Sequence, residues 1–267
     1  GEADGVALIG HQLFQRRDHR DGGFKRVLAA LQGRGAGMGF DPESFYLGFD
    51  TSGSTGSVAV AQGADVLARA TLGESREHAS TLVPAIAGVL EEAGIDRGEV
   101  SGVVVGEGPG SFTGVRVAAA TAKGLAHVLD CPIWAISSLV AAALSVEGSG
   151  IRYMLFDARG DRVYGACYGI GGIGVETIVP PHGGALRDVL DGAMPPGAVF
   201  FGEGAGRHRH AIEGAGFPVA AGPVPQPSAD GLFRYLALHP DASPVEAVAL
   251  WEPRYIREWQ PDKAWSA

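Results

Sequence analysis

The sequence predicts an α/β protein built from two copies of one unit. Short apolar runs rich in β-branched residues alternate with longer stretches whose apolar residues recur at three- and four-residue spacing. The dipeptide Phe49-Asp50, which ends one such run before a polar turn, returns as Phe156-Asp157 in the same setting. The 42 glycines follow no three-residue period, which excludes collagen and leaves a fold with many tight turns. A repeated dipeptide arises easily by chance, so the order of elements around it has to carry the duplication.

That order begins at Phe45-Tyr-Leu-Gly-Phe-Asp50, an apolar run closing on a carboxylate. The polar turn Thr-Ser-Gly-Ser-Thr-Gly56 leads to a second strand over 57–61, and a third follows over 66–72. Leu82, Ile86, Val89, Leu90 and Ala93 then recur at helical spacing within 76–93, with Gly94 placed to stop the helix. The β-branched run over 100–105 suits a buried parallel strand. A Gly-Pro-Gly loop leads from it into a second helix over 113–129, dense in alanine. The second half repeats the pattern in shorter form, with strands over 153–157, 162–168 and 175–179 and a helix over 186–190. A strand over 198–201 and a helix over 206–213 complete it. The domains expected are a first subdomain over 45–147 and a smaller second one over 148–267 that includes the C-terminal tail. Residues 1–44 read as an N-terminal extension, disordered or not native, because Gln15-Arg-Arg-Asp-His-Arg-Asp-Gly-Gly23 is a mixed-charge run and Gly33-Arg-Gly-Ala-Gly37 breaks any helix before it. Met38 is a second start point, and a genuine extension is the alternative.

At 267 residues, 46% hydrophobic and 19% charged, the chain can bury one sizeable core or two modest ones. Cys131 and Cys167 are too few for a disulfide framework, and neither a signal sequence nor a membrane span is legible, so a cytoplasmic address is expected. A formal net charge of −9 opposes independent binding to a polyanion, because such affinity rests on Lys and Arg neutralising phosphates.

Two places can carry chemistry. Asp50, Thr51 and Ser52 sit where a strand end meets a polar turn, a place where a carboxylate can hold a metal ion and amides a phosphate; with no P-loop Lys-Ser/Thr and no second carboxylate nearby in sequence, the favoured reading is an Asp that caps its own turn. In Gly106-Glu-Gly-Pro-Gly-Ser-Phe-Thr-Gly-Val-Arg116, Gly108, Gly110 and Ser111 precede a helix N-terminus, a setting that suits an anion and equally a tight strand-to-helix connection. His78 lacks a second histidine one turn on, since position 82 is Leu, so it is read as facing solvent and no metal site is expected. The run Arg207-His-Arg-His210 reads as a solvated helix face. No Gly-x-Ser-x-Gly elbow and no triad can be assembled, so no catalytic residue is assigned.

With these residues in view the chain resembles the TsaB family, also called YeaZ. The resemblance spans about 46–265 and is carried by Gly-Phe-Asp-Thr-Ser52, Arg76-Glu77-His78, Gly-Pro-Gly-Ser-Phe-Thr-Gly-Val-Arg116, Phe-Asp-Ala-Arg159 with Val163-Tyr164, and Pro253-Arg-Tyr-Ile-Arg257. It implies a duplicated ribonuclease-H-like fold of the actin, Hsp70 and sugar-kinase superfamily. It also implies a non-catalytic scaffold subunit that pairs with TsaD in threonylcarbamoyl transfer to tRNA adenosine beside the anticodon. TsaD and the ATPase TsaE are the partners implied, with tRNA reached only through the complex, a homodimer where TsaD is missing, and no cofactor. The catalytic relative carries a paired-histidine metal site in the helix that His78 opens here. The interface residues this suggests are His78, Leu82, Ile86, Val89, Leu90, Val115, Ala118, Ala119 and Ala122; the alternative is that these faces only cover their own sheet. Weak nucleotide candidates are Asp50, Thr51, Ser52, Gly108, Gly110 and Ser111. The alternative function is a nucleotide-dependent phosphotransferase or ATPase of the same superfamily.

Overall fold

The computed structural model describes residues 39–256 apart from 75, 76 and 173. The extension up to residue 38, Arg76 and Arg257 of the motifs above, and the end of the matched span at 265 lie outside the described residues. Five strands, β1 (Phe45–Asp50), β2 (Thr55–Gln62), β3 (Asp65–Glu74), β4 (Val100–Gly106) and β5 (Ile133–Ile136), form one sheet in the order β3-β2-β1-β4-β5. Four more, β6 (Gly150–Asp157), β7 (Arg162–Gly171), β8 (Gly174–Ala185) and β9 (Val199–Phe201), form a second in the order β8-β7-β6-β9. The duplication is explicit in the pairing. β1 runs antiparallel to β2 and parallel to β4, while β6 runs antiparallel to β7 and parallel to β9. Asp50 sits opposite Ser57 and Asp157 opposite Val163, at matching ends of the two central strands.

Side chains alternate across each strand, and here every face is used. Leu47, Phe49, Val58, Val60, Val103 and Val105 point to one side of the first sheet, where α1 (His78–Ala93) and α2 (Phe112–Leu129) cover them. Tyr46, Ala59, Ala61 and Val104 point to the other side and meet α3 (Ser138–Leu144) and α7 (Ala229–Leu238). Met154, Phe156, Ala166 and Tyr168 of the second sheet press on the same pair of helices from beyond. Its outer face, with Tyr153, Leu155, Val163 and Cys167, is covered by α4 (Leu186–Leu190), α5 (Glu203–Arg207) and α6 (Arg209–Gly214). The layers therefore run helix, sheet, helix, sheet, helix.

The middle layer was not legible as a period. All seven residues of α3 are buried, so no polar face marks it, and β5 is four residues long. Gly231 of α7 is required there: a Cβ would overlap the backbone carbonyl of Ala141, so only glycine lets the two helices cross. Buried Arg152 on β6 donates to the carbonyls of Ala143, Val146, Glu147 and Gly148, satisfying the C-terminal end of α3. Arg234 of α7 donates to Leu144 O at 2.6 Å.

Three expectations change. The expected helix over 206–213 is two short helices, α5 and α6, broken at His208, whose φ is −103°. The ordered chain begins before residue 45: Phe40 is buried and stacks on Tyr46 at 4.7 Å, and its N–H donates to Pro240 O at 3.1 Å. The arginines around 207–210 are engaged: Arg207 pairs with Asp157, and Arg209 reaches Glu213 and the carbonyls of Val219 and Ala220.

In the outer core of the second sheet, His182 Nε2 lies 2.7 Å from the hydroxyl of Tyr153. Burial lowers the His182 imidazole from 6.5 to about 4. The unfolded chain therefore binds the extra proton first, and stability present above about 6.5 is lost as the pH falls towards about 4. At 1.36 kcal/mol for each pH unit this amounts to about 3 kcal/mol. Urea titrations of the protein across this range should show that decline, and His182→Gln should flatten it.

Candidate functional site

The expected site residues converge where the carboxyl ends of β1 and β4 meet the first turns of α1, α2 and α3. Asp50 is fully buried. Its Oδ1 accepts the Ser52 N–H at 2.7 Å, the turn-capping bond anticipated for an Asp in this position. Its Oδ2 accepts the Ser138 hydroxyl at 2.6 Å. Gly106 leaves the room: a Cβ there would overlap the Asp50 carboxylate. Burial raises the Asp50 pKa above its usual 3.8, against the opposing pull of its hydrogen bonds from Ser138 and Ser52 and of nearby His78.

The Gly-Pro-Gly loop closes on the same point. Gly108 N–H donates to Ser138 Oγ at 3.1 Å and Ser138 N–H returns a bond to Gly108 O at 2.8 Å. The Gly108-Pro109 peptide is cis, and Ser111 N–H donates to Ser52 O at 2.8 Å. Ser111 Oγ caps α2 by accepting from Gly114 N–H at 3.3 Å. Thr51 Oγ donates to Gly114 O at 2.7 Å, and Gly114 is glycine because a Cβ would overlap the Thr51 carbonyl oxygen.

Of the nucleotide candidates, Asp50, Thr51, Ser52, Gly108, Gly110 and Ser111 are thus brought together, and several of their donors are committed inside the chain. The amides of Ser52, Gly108 and Ser111 and the Thr51 hydroxyl all have protein partners, so these donors tie the loop to its neighbouring elements. Reading the sequence missed Ser138. Its signal was the Ser137-Ser138 pair after the apolar run Ile133-Trp-Ala-Ile136, a helix-opening signature.

His78 is corrected too. It is fully buried, with Nε2 and Nδ1 3.0 and 3.3 Å from the carbonyl oxygens of Gly73 and Thr51. Among the described residues no group of three His, Cys, Asp or Glu side chains is placed to hold a metal ion.

The expected interface side chains are largely spent on the chain's own core. Leu82, Ile86, Val89, Ala118 and Ala122 pack on the first sheet, Val115 and Ala119 are buried, and Leu90 is partly buried against the same cluster. The faces that α1 and α2 leave exposed include Ala79, Val83, Pro84, Ala87 and Gly88, and Ala120, Gly124 and Val128, beside the polar Ser80, Glu91, Glu92, Thr113, Arg116 and His127. A Cβ added at Gly88 or Gly124 would meet nothing within 4 Å. The C-terminal segment runs beside α2: Val245 N–H donates to Ile133 O, Lys123 donates to Ala249 O, and Arg116 Nε donates to the Tyr255 hydroxyl at 2.9 Å.

A relative from Bacillus subtilis, the tRNA threonylcarbamoyladenosine biosynthesis protein TsaB, is 31% identical over 227 residues, which is 82% of this chain and 96% of that protein. The chain belongs to the TsaB family. The TsaB protein of Escherichia coli is 33% identical over 96 residues, 35% of this chain and 42% of that protein. YeaZ from Pseudomonas aeruginosa superposes with a TM-score of 0.67 at 27% identity, covering 80% of this chain and all of that one. A second crystal structure from that organism, of an uncharacterized protein with similarity to peptidase YeaZ, gives 0.70 at 28% identity with the same coverage. The profile of the TsaD family, tRNA N6-adenosine threonylcarbamoyltransferase, matches residues 67–205. The family places the chain in tRNA threonylcarbamoyladenosine biosynthesis, and the duplicated ribonuclease-H-like fold agrees with its two sheets. Among the described residues no helix is long and apolar enough to cross a membrane.

Removing the Asp50 side chain leaves the Ser138 hydroxyl and the Ser52 amide without their acceptor. Asp50→Ala should therefore lower the unfolding free energy by about 2 to 4 kcal/mol. Because burial raises the carboxyl, the part of its contribution that is linked to protonation is fully present below 3.8 and is lost as the pH rises through the folded value, while its acceptor oxygens remain. Asp50→Asn keeps an acceptor without the buried charge, so it should cost less than half as much as the alanine variant. Equal losses in chemical denaturation at pH 7 would show that the acceptor is not what the fold needs.

Proposed function

We propose that this chain is a scaffold subunit that docks on TsaD through the exposed faces of α1 and α2, supports threonylcarbamoyl transfer to tRNA, helps to recruit TsaE, and performs no transfer itself. One observation carries the reading. Gly88 and Gly124 lie in mid-helix on an exposed face where a Cβ would meet nothing, although glycine costs roughly 1 kcal/mol against alanine at such positions. Nothing among the described residues requires them. With Ala79, Ala87 and Ala120 they make a surface that the backbone of another helix can approach closely, and Val83 and Val128, 58% and 77% exposed, supply apolar area. A homodimer through this face is the form expected without TsaD. The absence of transfer chemistry is supported by His78, whose two ring nitrogens face carbonyl oxygens of the chain itself.

Gly88→Arg and Gly124→Arg place a long side chain in open space. Each should leave the thermal midpoint within a few degrees of the parent's while weakening association with TsaD by at least about tenfold, read by calorimetry and size-exclusion chromatography. A parent protein that fails to associate with TsaD, or arginine variants that bind as well as the parent, would sink the docking reading.

The phosphotransferase alternative needs Asp50 to meet a magnesium nucleotide, which its burial and its bond to Ser138 oppose. Titration with ATP and magnesium should give no binding heat at millimolar nucleotide, and saturable binding lost in Asp50→Asn would restore that alternative.

A further inference from the structure

Beside the small-residue face, at the N-terminal end of α2, three side chains form a prearranged exposed cluster. The Arg116 guanidinium carbon lies 3.7 Å from the centre of the Phe112 ring and 5.7 Å from that of Tyr255. Its Nε donates to the Tyr255 hydroxyl at 2.9 Å, and the two rings are 5.8 Å apart. Phe112 and Tyr255 remain 57% and 46% exposed, and Arg116 is exposed with them. The bond joins residues 139 positions apart, so the C-terminal segment is what completes the cluster.

A flexible arginine on a surface loses much of its conformational freedom when it binds, which is why isolated surface ion pairs contribute little. Arg116 has already lost that freedom. One of its five N–H donors is used by Tyr255, and none of its ion pairs or other hydrogen bonds falls among the described residues, so the outer fork is left to offer two parallel donors to a carboxylate or a phosphate. Exposed aromatic rings flanking an arginine are also the composition that concentrates binding energy in protein interfaces. The net charge of −9 sets the class of partner: a polyanion is repelled by the chain as a whole, whereas a single carboxylate on a protein partner needs only this local positive point.

We infer that Arg116, held between Phe112 and Tyr255, anchors a carboxylate of the partner protein that docks on the α1–α2 face. The inference rests on the docking reading above and adds to it the polar contact that fixes the register at the α2 end. Arg116→Gln removes the charge and keeps a side chain over Phe112, Arg116→Lys keeps the charge without the fork, and Arg116→Glu reverses it. Against TsaD from the same organism, Arg116→Gln should bind about 30-fold more weakly or worse, Arg116→Lys should fall between it and the parent, and Arg116→Glu should bind least. Tyr255→Phe, which leaves the ring and removes the hydroxyl, should lose affinity in the same direction, and the salt dependence of the parent should be reduced in Arg116→Gln.

Circular dichroism melts check that each variant is folded. Should Arg116→Glu fail to fold, the Gln and Lys variants carry the test alone. A parent that binds TsaD while Arg116→Gln and Arg116→Lys bind equally well overturns this anchor and leaves the docking face standing; a parent that does not bind removes both. If Arg116→Gln instead weakens binding of free tRNA and leaves TsaD affinity unchanged, the fork reads phosphate and the inference is wrong.

Discussion

A carboxylate cut off from water ties the first strand to the helix at the centre of the molecule. Asp50 closes β1, its Oδ2 accepts the first hydroxyl of α3, and that same Ser138 exchanges two hydrogen bonds with Gly108 of the loop after β4. Burying a charged group is costly unless its oxygens are satisfied, so the surrounding segments are held to the positions that satisfy them. Gly106 and Gly114 are consequences of this constraint. The Asp50 carboxylate and the Thr51 carbonyl occupy the space that any side chain there would need.

From this point the architecture spreads outward. α3 is fixed at its start by Asp50 and at its end by Arg152 of the other sheet, so it is held from both halves of the duplication at once. α7 crosses it at Gly231 and fills the remaining contact with both sheets. The two units consequently share one core cluster, with Tyr46 and Trp134 on one side and Phe156 and Tyr168 on the other. The loop whose glycines suggest an anion site is occupied with holding this arrangement, and the copied carboxylate shows what happens without it. Asp157 repeats the turn bond, to Arg159 N–H, but pairs with Arg207 near the surface instead of with a buried serine.

The docking proposed for α1 and α2 has to use what the core leaves over. Each of α1 and α2 commits one stripe to the first sheet, and the opposite side carries alanine, glycine and valine together with Ser80, Pro84, Glu91 and Glu92 on α1 and Thr113, Arg116 and His127 on α2. The C-terminal segment lies along the flank of α2, with Lys123 and Arg116 as its points of attachment. A partner approaching that helix meets an edge built from two distant parts of the chain.

The strands and the two long helices were legible in the sequence because alternation and helical spacing are local properties. Phe45–Asp50, Val100–Gly106 and Phe112–Leu129 stand within a residue or so of where the pattern puts them, and the helix over 186–190 matches Leu186–Leu190. The duplication, the TsaB motifs and the lack of a second histidine were equally open to reading. Which stripe of each helix faces the sheet was not, since Ala118 and Ala120 differ by where the sheet lies and not by chemistry. α3 escaped because a helix buried all round has no polar face to give it a period. Only the tertiary structure decided that Asp50 is a structural acceptor, that His78 is buried and that Arg116 meets Tyr255. Each depends on residues far apart in the chain coming within hydrogen-bond distance, which no local pattern encodes.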